Sequence, residues 1–286
     1  MRVIQTLLLI LALSAMSSAI NTAVASQIAR PGVGLGFVPH KALYEIELEN
    51  ARSGSQIVNV EGHMYYEWSY DCEAWNSKHR FNVLYEYADS PAIRLTSDFS
   101  NFEAYDASTL DYSAIRRQNG VEYEKIIGHA KTDAGQTGRA DFNNPEGLHY
   151  DLPVGTLYPM KHTLNVVEAI QDNQKFYNAV VFDGSDDEGP VEINAFIGNA
   201  IDVPYPENKS ALALDKELLS AKANKVQLAF FPYQDKQEKA DYEMDLILHH
   251  NSIISTMNVH YDDFTVRQKL IALEPIDQEK SKNACQ

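Results

Sequence analysis

The feature that most constrains this chain is a repeated alternation of apolar and polar residues over short segments. About twelve such segments lie between positions 42 and 273, and turn residues separate most of them. Successive side chains of a strand point to opposite faces, so this period predicts strands that bury one face and expose the other. Short connections favour antiparallel neighbours. The pattern therefore predicts an all-β fold, either a barrel or a strongly curved sheet.

Three local features of the pattern give more specific predictions. The segment 58–70 alternates so regularly that Val58 and Trp68 are expected on the same apolar face. Asn119-Gly120 is a strong signal for a two-residue hairpin turn, because that turn needs a positive φ at both positions. The segment 210–223, rich in Leu, Ala, Lys and Glu, interrupts the alternation and is expected to form a short surface helix or a loop.

One stretch near the middle of the chain departs from the strand period. Apolar residues recur at helical spacing from Met160 to Ile170, which predicts a short helix that ends near Asn173. Residues 176–182 are rich in β-branched and aromatic side chains and are predicted to form a buried strand. Residues 183–189 read D-G-S-D-D-E-G and predict a tight acidic turn. The sheets before and after the helix are expected to pack around it.

The same stretch resembles a known protein family. The motifs are D-L-P-V-G-T-L-Y-P-M-K-H-T at 151–163 and V-F-D-G-S-D-D-E-G at 181–189, with further matches near Pro39, Cys72, Tyr261 and Leu270. In this order they resemble the EipB family of periplasmic cell-envelope integrity proteins of Gram-negative bacteria. The resemblance implies a spiral of antiparallel strands with a helix near its centre. The expected fold class is therefore an antiparallel β-spiral or open barrel of about 12–14 strands with a short central helix.

The first 25 residues are typical of a signal peptide. Arg2 precedes an apolar run, residues 3–15, that is too short to span a bilayer. Ala23-Val24-Ala25 matches the A-x-A cleavage motif, so we predict cleavage before Ser26, with an uncleaved membrane anchor as the alternative. Lipid attachment is not expected, because the sequence has no cysteine near that site.

Residues 26–286 are expected to form a single β-rich periplasmic domain, with two lobes joined near 148–175 as the alternative. This mature chain is acidic. The full chain has 24 Lys and Arg against 40 Asp and Glu, a net charge of −16, and removal of Arg2 with the signal peptide gives −17. Nucleic acid is an unsuitable partner for such a chain, because binding it depends on neutralising phosphates. No later segment has the length and apolarity of a transmembrane helix.

The two cysteines, Cys72 and Cys285, are expected to form a disulfide, because an even pair in an exported chain favours oxidation. The family resemblance implies a bond of this kind as well. It would tie the C-terminal tail to an early strand. Two free thiols are the alternative, whereas redox catalysis is not expected without a C-x-x-C motif.

Little in the sequence favours catalysis or a cofactor. There is no G-x-S-x-G motif, and the carboxylates form no recognisable acid and base pair, so the chain is expected not to be an enzyme. No cofactor and no metal are expected. Calcium at the acidic turn is one alternative. A metal at His260 and one of His249 and His250 is another, because neighbouring residues of a strand point to opposite faces. The turn residues Asp183, Asp186 and Asp187 are instead expected to have a structural role, as the resemblance also implies.

Aromatic residues suggest a binding role. Most of the 16 tyrosines and 2 tryptophans fall on apolar strand faces, where they form core or line an apolar cleft if the sheet curls without filling its interior. The candidate cleft residues are Tyr66, Trp68, Tyr85, Tyr158, Met160 and His162. For His162, near the start of the predicted helix, a hydrogen bond to loop backbone is the favoured interpretation.

The resulting hypothesis is a non-enzymatic periplasmic protein that maintains the integrity of the cell envelope. It would act by binding an envelope protein, a lipoprotein or a lipid. A carrier that holds an acyl chain or a lipoprotein in an interior cleft is the first alternative. A hydrolase of envelope glycans is the second, and it requires two carboxylates facing each other in a cleft.

Overall fold

The computed structural model describes residues 36–205, 213–234 and 239–277 of the 286-residue chain. The signal peptide, its cleavage site before Ser26, and Cys285 lie outside the described residues. These features stay predictions, and so does the pairing of Cys72 with Cys285.

Fifteen strands and two helices make up the described fold. The strands are β1 (His40–Ala51), β2 (Ile57–Tyr70), β3 (Ala74–Tyr87), β4 (Ile93–Ala104), β5 (Thr109–Gln118), β6 (Val121–Lys131), β7 (Gly138–Asn144), β8 (His149–Leu152), β9 (Phe176–Val181), β10 (Val191–Ile201), β11 (Ala213–Leu214), β12 (Ala223–Pro232), β13 (Tyr242–His249), β14 (Ile254–His260) and β15 (Phe264–Pro275). The helices are α1 (Pro159–Gln171) and α2 (Lys216–Leu219).

All fifteen strands belong to one sheet that joins two antiparallel meanders. The first runs from β8 back to β1, the second from β15 back to β12 and then to β10 and β9, and the β1–β15 pair joins them. The short β11 lies off this path and runs parallel to β15. The main path thus has the 14 strands at the top of the predicted range, and β11 falls in the segment expected to be a helix or a loop. The predicted fold class is confirmed.

The sheet curls around α1 without closing. β8 and β9 are its two edges, and α1 connects them along the chain. A single parallel bridge joins Leu157, just before α1, to Val181 at the end of β9. The Leu157 amide donates to the Val180 carbonyl at 2.9 Å, and the Phe182 amide donates to the Leu157 carbonyl at 3.0 Å. The chain that leaves one edge is therefore fastened to the other.

Two hydrophobic clusters lie on the inner side of the sheet. The larger one joins the buried side of α1 to strands of both meanders. The smaller one lies under β5–β8, where the rings of Tyr112, Phe142 and Phe182 meet edge to face at centroid distances of 5.3–6.3 Å. A division into two lobes near 148–175 stays a prediction.

Two details of the predicted strands are wrong. Val58 is 58% exposed, because it is the extra residue of a β-bulge between Ile57 and Asn59, and Ile57 takes the buried position. Residues 176–182 were expected as a buried strand, yet β9 is an edge strand and Phe176 is half exposed. A strand that pairs on one side only leaves its outer residues in contact with solvent.

The Asn119-Gly120 hairpin and the central helix are where the sequence predicts them. Asn119 and Gly120 have φ values of 51° and 83° and connect β5 to β6. The helix begins one residue before Met160, and Asn173 follows it with a φ of 57°. In the segment 210–223, the described residues contain β11 and the four-residue α2.

Candidate functional site

The first amides of helix α1 face the sheet that surrounds the helix. Pro159 occupies its first position, which suits proline because the first amides of a helix have no partner within it. Tyr158 precedes it with extended backbone and provides no side-chain cap. Other parts of the chain must therefore satisfy the remaining free amides.

Glu103 on β4 supplies the missing cap. Its Oε2 accepts from the Met160 amide at 2.7 Å, and its Oε1 accepts from the Lys161 amide at 2.8 Å. The side chain is fully buried. Burial raises the pKa of Glu103 to about 8, and the two amide hydrogen bonds oppose this shift. One buried carboxyl group thus fixes the start of the central helix against the first meander.

A cavity of about 340 Å³ lies between α1 and the inner face of the sheet. Its volume is within the range of about 300–1,000 Å³ that is usual for small-molecule sites. The second meander supplies an apolar wall from β9, β10 and β12–β14. The residues of this wall are Val181, Ile193, Val226, Leu228, Phe230, Met244, Leu246, Leu248, Ile254 and Met257. The cavity can therefore hold a hydrocarbon group.

The opposite wall is more polar. The strand register places His40, Trp68, Ser77 and Asn101 in one row across β1–β4. Of these, His40 and Ser77 line the cavity. The next row places Tyr66 beside His79, whose rings are 4.8 Å apart, and both of these residues line the cavity too. Met64 and Phe81 line this side too, so the cavity is amphipathic, with a wall of mixed polar and apolar side chains at β1–β3 and an apolar wall at β12–β14.

Four lining residues carry a buried polar atom that has no hydrogen-bond partner among the described residues. These atoms are His40 Nε2, His162 Nε2, Ser252 Oγ and Gln268 Oε1. Leaving such an atom unpaired costs about 1–3 kcal/mol, so native proteins have few of them. Four around one cavity indicate a place where a ligand can complete the hydrogen bonding.

The cavity has little formal charge. Burial lowers the pKa of His40, His79 and His162 to about 4, so all three rings are neutral at pH 7. Asp183 is the one carboxylate residue, and there is no lysine or arginine, among the described lining residues. One Asp183 oxygen already accepts from the Ser185 amide at 2.8 Å.

Of the six predicted cleft residues, three line the cavity and three do not. Tyr66, Met160 and His162 line the cavity. Trp68 is buried behind it and donates from Nε1 to His40 Nδ1 at 3.0 Å, a nitrogen that also lies 2.8 Å from the Val38 carbonyl. Because Nδ1 accepts in the first contact and donates in the second, one histidine tautomer satisfies only one of the two.

The other two predicted residues lie away from the cavity lining. Tyr85 packs edge to face against Phe264 on the adjoining part of the sheet, and burial raises its pKa to about 12. Tyr158 is fully buried in the smaller hydrophobic cluster. Tyr158 is therefore a core residue, and Tyr85 is a partly buried residue that packs against the larger cluster.

In the acidic turn, two carboxylates accept hydrogen bonds from the turn's own backbone. Asp183 accepts from the Ser185 amide, and Asp186 accepts from the Glu188 amide at 2.9 Å. Arg116 on β5 donates to the Ser185 carbonyl at 2.7 Å, and Tyr150 on β8 donates to the Asp187 carbonyl. Burial raises the pKa of Asp186 to about 6. These contacts support a structural role for the turn, which fastens the chain after β9 to the first meander.

The histidines considered for a metal site each have separate partners. The His249 ring is within hydrogen-bond distance of the Ala221 carbonyl and the Ser255 hydroxyl. The His250 ring contacts the Asn224 side chain in the same way, and the His260 ring contacts Asp245 and Thr265. Over residues 36–205, 213–234 and 239–277, no three His, Cys, Asp or Glu side chains group closely enough to hold a metal ion. In the same ranges, no helix has the length and apolarity to cross a membrane.

Three buried polar residues of the site are recognisable in the sequence from their phase along a strand. Gln268 is in phase with Val266 and Leu270 on the buried face of β15. His40 is in phase with Ala42 and Tyr44 on β1, and Glu103 with Asn101 on β4. A polar residue on the apolar phase of a strand therefore indicates either a specific partner or a ligand.

Comparison with known proteins gives consistent likenesses over most of the chain. The sequence profile of the family described as EipB-like matches residues 33–277. The cell envelope integrity protein EipB of Brucella abortus (strain 2308) is 28% identical over 254 residues, which cover 87% of this chain and 88% of that protein. The crystal structure of a β-barrel-like protein of a domain of unknown function, also from Brucella abortus, superposes with a TM-score of 0.77 at 26% identity. That match covers 84% of this chain and 99% of the other.

Proposed function

This chain belongs to the EipB-like family, and we propose that it maintains the integrity of the cell envelope by holding a lipid in the cavity beside α1. The envelope role is supported by the name of its Brucella abortus relative. The observation that carries the lipid is the amphipathic cavity, which places a largely apolar wall of the second meander opposite the more polar wall of the first. A lipid has the same division into hydrocarbon and polar parts.

The proposed location is the periplasm. Residues 1–25 have the composition of a signal peptide, and cleavage before Ser26 would release the chain that carries the cavity. In that oxidising compartment Cys72 and Cys285 would form a disulfide. The periplasm lies between two membranes, so lipid is available to a lipid-binding protein there from either membrane.

The cavity favours binding over hydrolysis. Glycosidases use two carboxyl groups on either side of the bound sugar. In the part of the chain that the structure describes, Asp183 is the one carboxylate residue in the lining, and Glu103 is occupied by two helix amides. The geometry therefore gives no support to the alternative of an envelope glycan hydrolase.

The proposal is tested by native mass spectrometry of the protein isolated from the periplasm without detergent. We expect an excess mass that corresponds to a lipid or an acyl chain. Leu228→Trp adds bulk to the cavity wall on β12 and should abolish this mass, whereas Val121→Trp, at an exposed position on β6, should retain it. Melting curves establish that both variants fold.

Two outcomes would contradict the proposal. Wild-type protein that carries no excess mass and takes up no added lipid would show that the cavity does not serve as a lipid site. An excess mass that survives in folded Leu228→Trp would place the ligand elsewhere on the protein. A bound polypeptide instead of a lipid would favour the lipoprotein or envelope-protein alternative.

A further inference from the structure

We infer that the cavity selects an uncharged amphipathic ligand, an acyl chain whose polar end is a hydroxyl, ester or amide group, and that this polar end lies against His162 and the β1–β3 wall. This inference rests on the proposed lipid-binding function and specifies the class of lipid.

The position of the polar end follows from the register of the strands. His40 lies beside Trp68, and Tyr66 lies beside His79 in the next row. Glu103 belongs to the same end of the sheet, since Trp75 pairs with it two residues before Ser77. Because Glu103 holds the first turn of α1, His162 is brought to the end of the cavity that contains these polar rows.

The unpaired atoms at this end need a hydrogen-bonding partner. His40 and His162 are 1% and 6% exposed, and the Nε2 atom of each has no partner among the described residues. Neighbouring rings occupy the space around them: His40 lies 5.7 Å from Tyr66, and His162 lies 5.9 Å from Tyr177, between ring centroids. Both residues line the cavity, so a ligand hydroxyl or carbonyl lies next to them and offers a hydrogen-bonding group, whereas a hydrocarbon offers none.

The charge of the polar end follows from the lining. Lysine and arginine are absent from the described lining residues, and the buried imidazoles are uncharged, so a carboxylate or phosphate ligand would find no counter-ion there. Asp183 is the one carboxylate residue in the described lining, but it lies after β9 and not on the β1–β3 wall, so a cationic head group at that wall would find no counter-ion either. Transferring an unpaired charge into such a site costs far more than transferring a hydroxyl group. The polar end of the ligand at this wall is therefore expected to be an uncharged group.

The test compares ligands that have the same hydrocarbon chain and different head groups. Monolaurin is uncharged, laurate is anionic and dodecylammonium is cationic at pH 7. Each is titrated, below its micelle concentration, against the full mature protein loaded with N-phenylnaphthylamine, an uncharged dye that has no lipid head group. We expect monolaurin to displace the dye with an affinity about tenfold or more above that of either charged ligand.

A histidine variant tests the location of the head group. His162→Leu removes the unpaired Nε2 and should lower monolaurin affinity about threefold to tenfold, the value of one hydrogen bond, while dye affinity stays the same. His63→Leu, at an exposed position on β2, is the matched control and should bind as wild type does. The His162 variant should fold, since it replaces a buried unpaired polar group with an apolar one.

The possible results distinguish failure of this inference from failure of the proposed lipid-binding function. If the dye and all three ligands fail to bind, the lipid-binding proposal fails and the inference fails with it. If the dye binds but laurate or dodecylammonium competes as well as monolaurin, the lipid site stands and its selectivity for an uncharged head is refuted. Unchanged monolaurin affinity in folded His162→Leu would refute the assigned position of the head group.

Discussion

Glu103 is a single side chain on which the position of the central helix depends. Glu103→Gln replaces one acceptor oxygen by an NH₂ group, which cannot accept from an amide of Met160 or Lys161. Below about pH 4.5, we expect the free energy of unfolding to fall by about 1–3 kcal/mol, the cost of leaving a buried donor unpaired. Urea denaturation followed by circular dichroism measures this change.

The matched control for this variant is Glu86→Gln, an exposed glutamate on β3. The same chemical change there should alter the stability by less than about 0.5 kcal/mol, as for most surface substitutions. Equal loss in the two variants would contradict the capping role of Glu103, because the effect would then not depend on the helix amides.

The pH dependence of stability provides an independent prediction for the same residue. Burial raises the pKa of Glu103 from 4.5 to about 8, so between these values the folded state binds more protons than the unfolded chain. The stability that Glu103 contributes is therefore fully present below about pH 4.5 and is lost as the pH rises through about 8. The protonated group still offers an oxygen to each helix amide.

The three cavity histidines have the opposite effect. Because their pKa values are lowered from 6.5 to about 4, the unfolded chain binds more protons than the folded state between these values. Their contribution to stability therefore rises with pH over this interval. The Glu103 effect is therefore read from the difference between wild type and Glu103→Gln, in which the histidine terms cancel. We expect this difference in the free energy of unfolding to be larger at pH 6 than at pH 8. A difference that stays constant or grows would show that burial does not control the pKa of this group.

At the scale of elements, the acidic turn fits its place because Gly184 lies directly against an aromatic ring. Gly184 has a φ of 66°, and a Cβ atom there would lie 2.2 Å from Cγ of Tyr112. Gly184→Ala should therefore combine backbone strain with a steric clash and destabilise the fold by about 1 kcal/mol or more.

Gly135→Ala is the control that separates these two causes. Gly135 has a similar φ of 75°, and nothing would lie within 4 Å of an added Cβ. Its loss of melting temperature reports backbone strain alone, so the Gly184 variant should melt at a lower temperature than the Gly135 variant. Equal melting temperatures would mean that Tyr112 moves aside at no cost and that the turn is not tightly packed.

The strands and the helix were predictable because each follows a local rule. The alternation along β2 and β3, the helical spacing in α1, and the Asn119-Gly120 turn all depend on residues close together in sequence. The exposure of Val58 and the edge position of β9 were not predictable in this way. A bulge depends on how two strands pair, and an edge depends on which strands end the sheet, and neither is a property of one segment.

At the scale of the whole molecule, the cavity arises from the order of the strands. Its polar wall comes from β1–β3 and its apolar wall from β12–β14, segments more than 130 residues apart in sequence. Alternation indicates which residues face inward, and it contains no information on which inner faces oppose each other. The sequence could therefore identify Tyr66, Met160 and His162 as inward residues. It could not separate them from Trp68, Tyr85 and Tyr158, which lie in the core or pack against it.

The envelope role predicts a phenotype for loss of the gene. A clean deletion should make the cells more sensitive to detergent and to antibiotics that act on the cell wall, and the wild-type gene supplied in trans should restore resistance. The Leu228→Trp variant should fail to restore it if lipid binding is the basis of the role, whereas Val121→Trp should succeed. Unchanged sensitivity in the deletion strain would count against the envelope assignment.

The proposed disulfide would act on the whole molecule, since Cys72 and Cys285 are separated by 213 positions. Closing a loop of that length stabilises the folded state by about 5 kcal/mol in the chain-entropy treatment. Cys72→Ser should therefore lower the melting temperature under oxidising conditions and have little effect in the presence of a reductant. Cys285→Ser should give the same result, because either substitution removes the same bond. Equal melting temperatures of the wild type and both variants in the absence of reductant would show that the two cysteines do not constrain this fold.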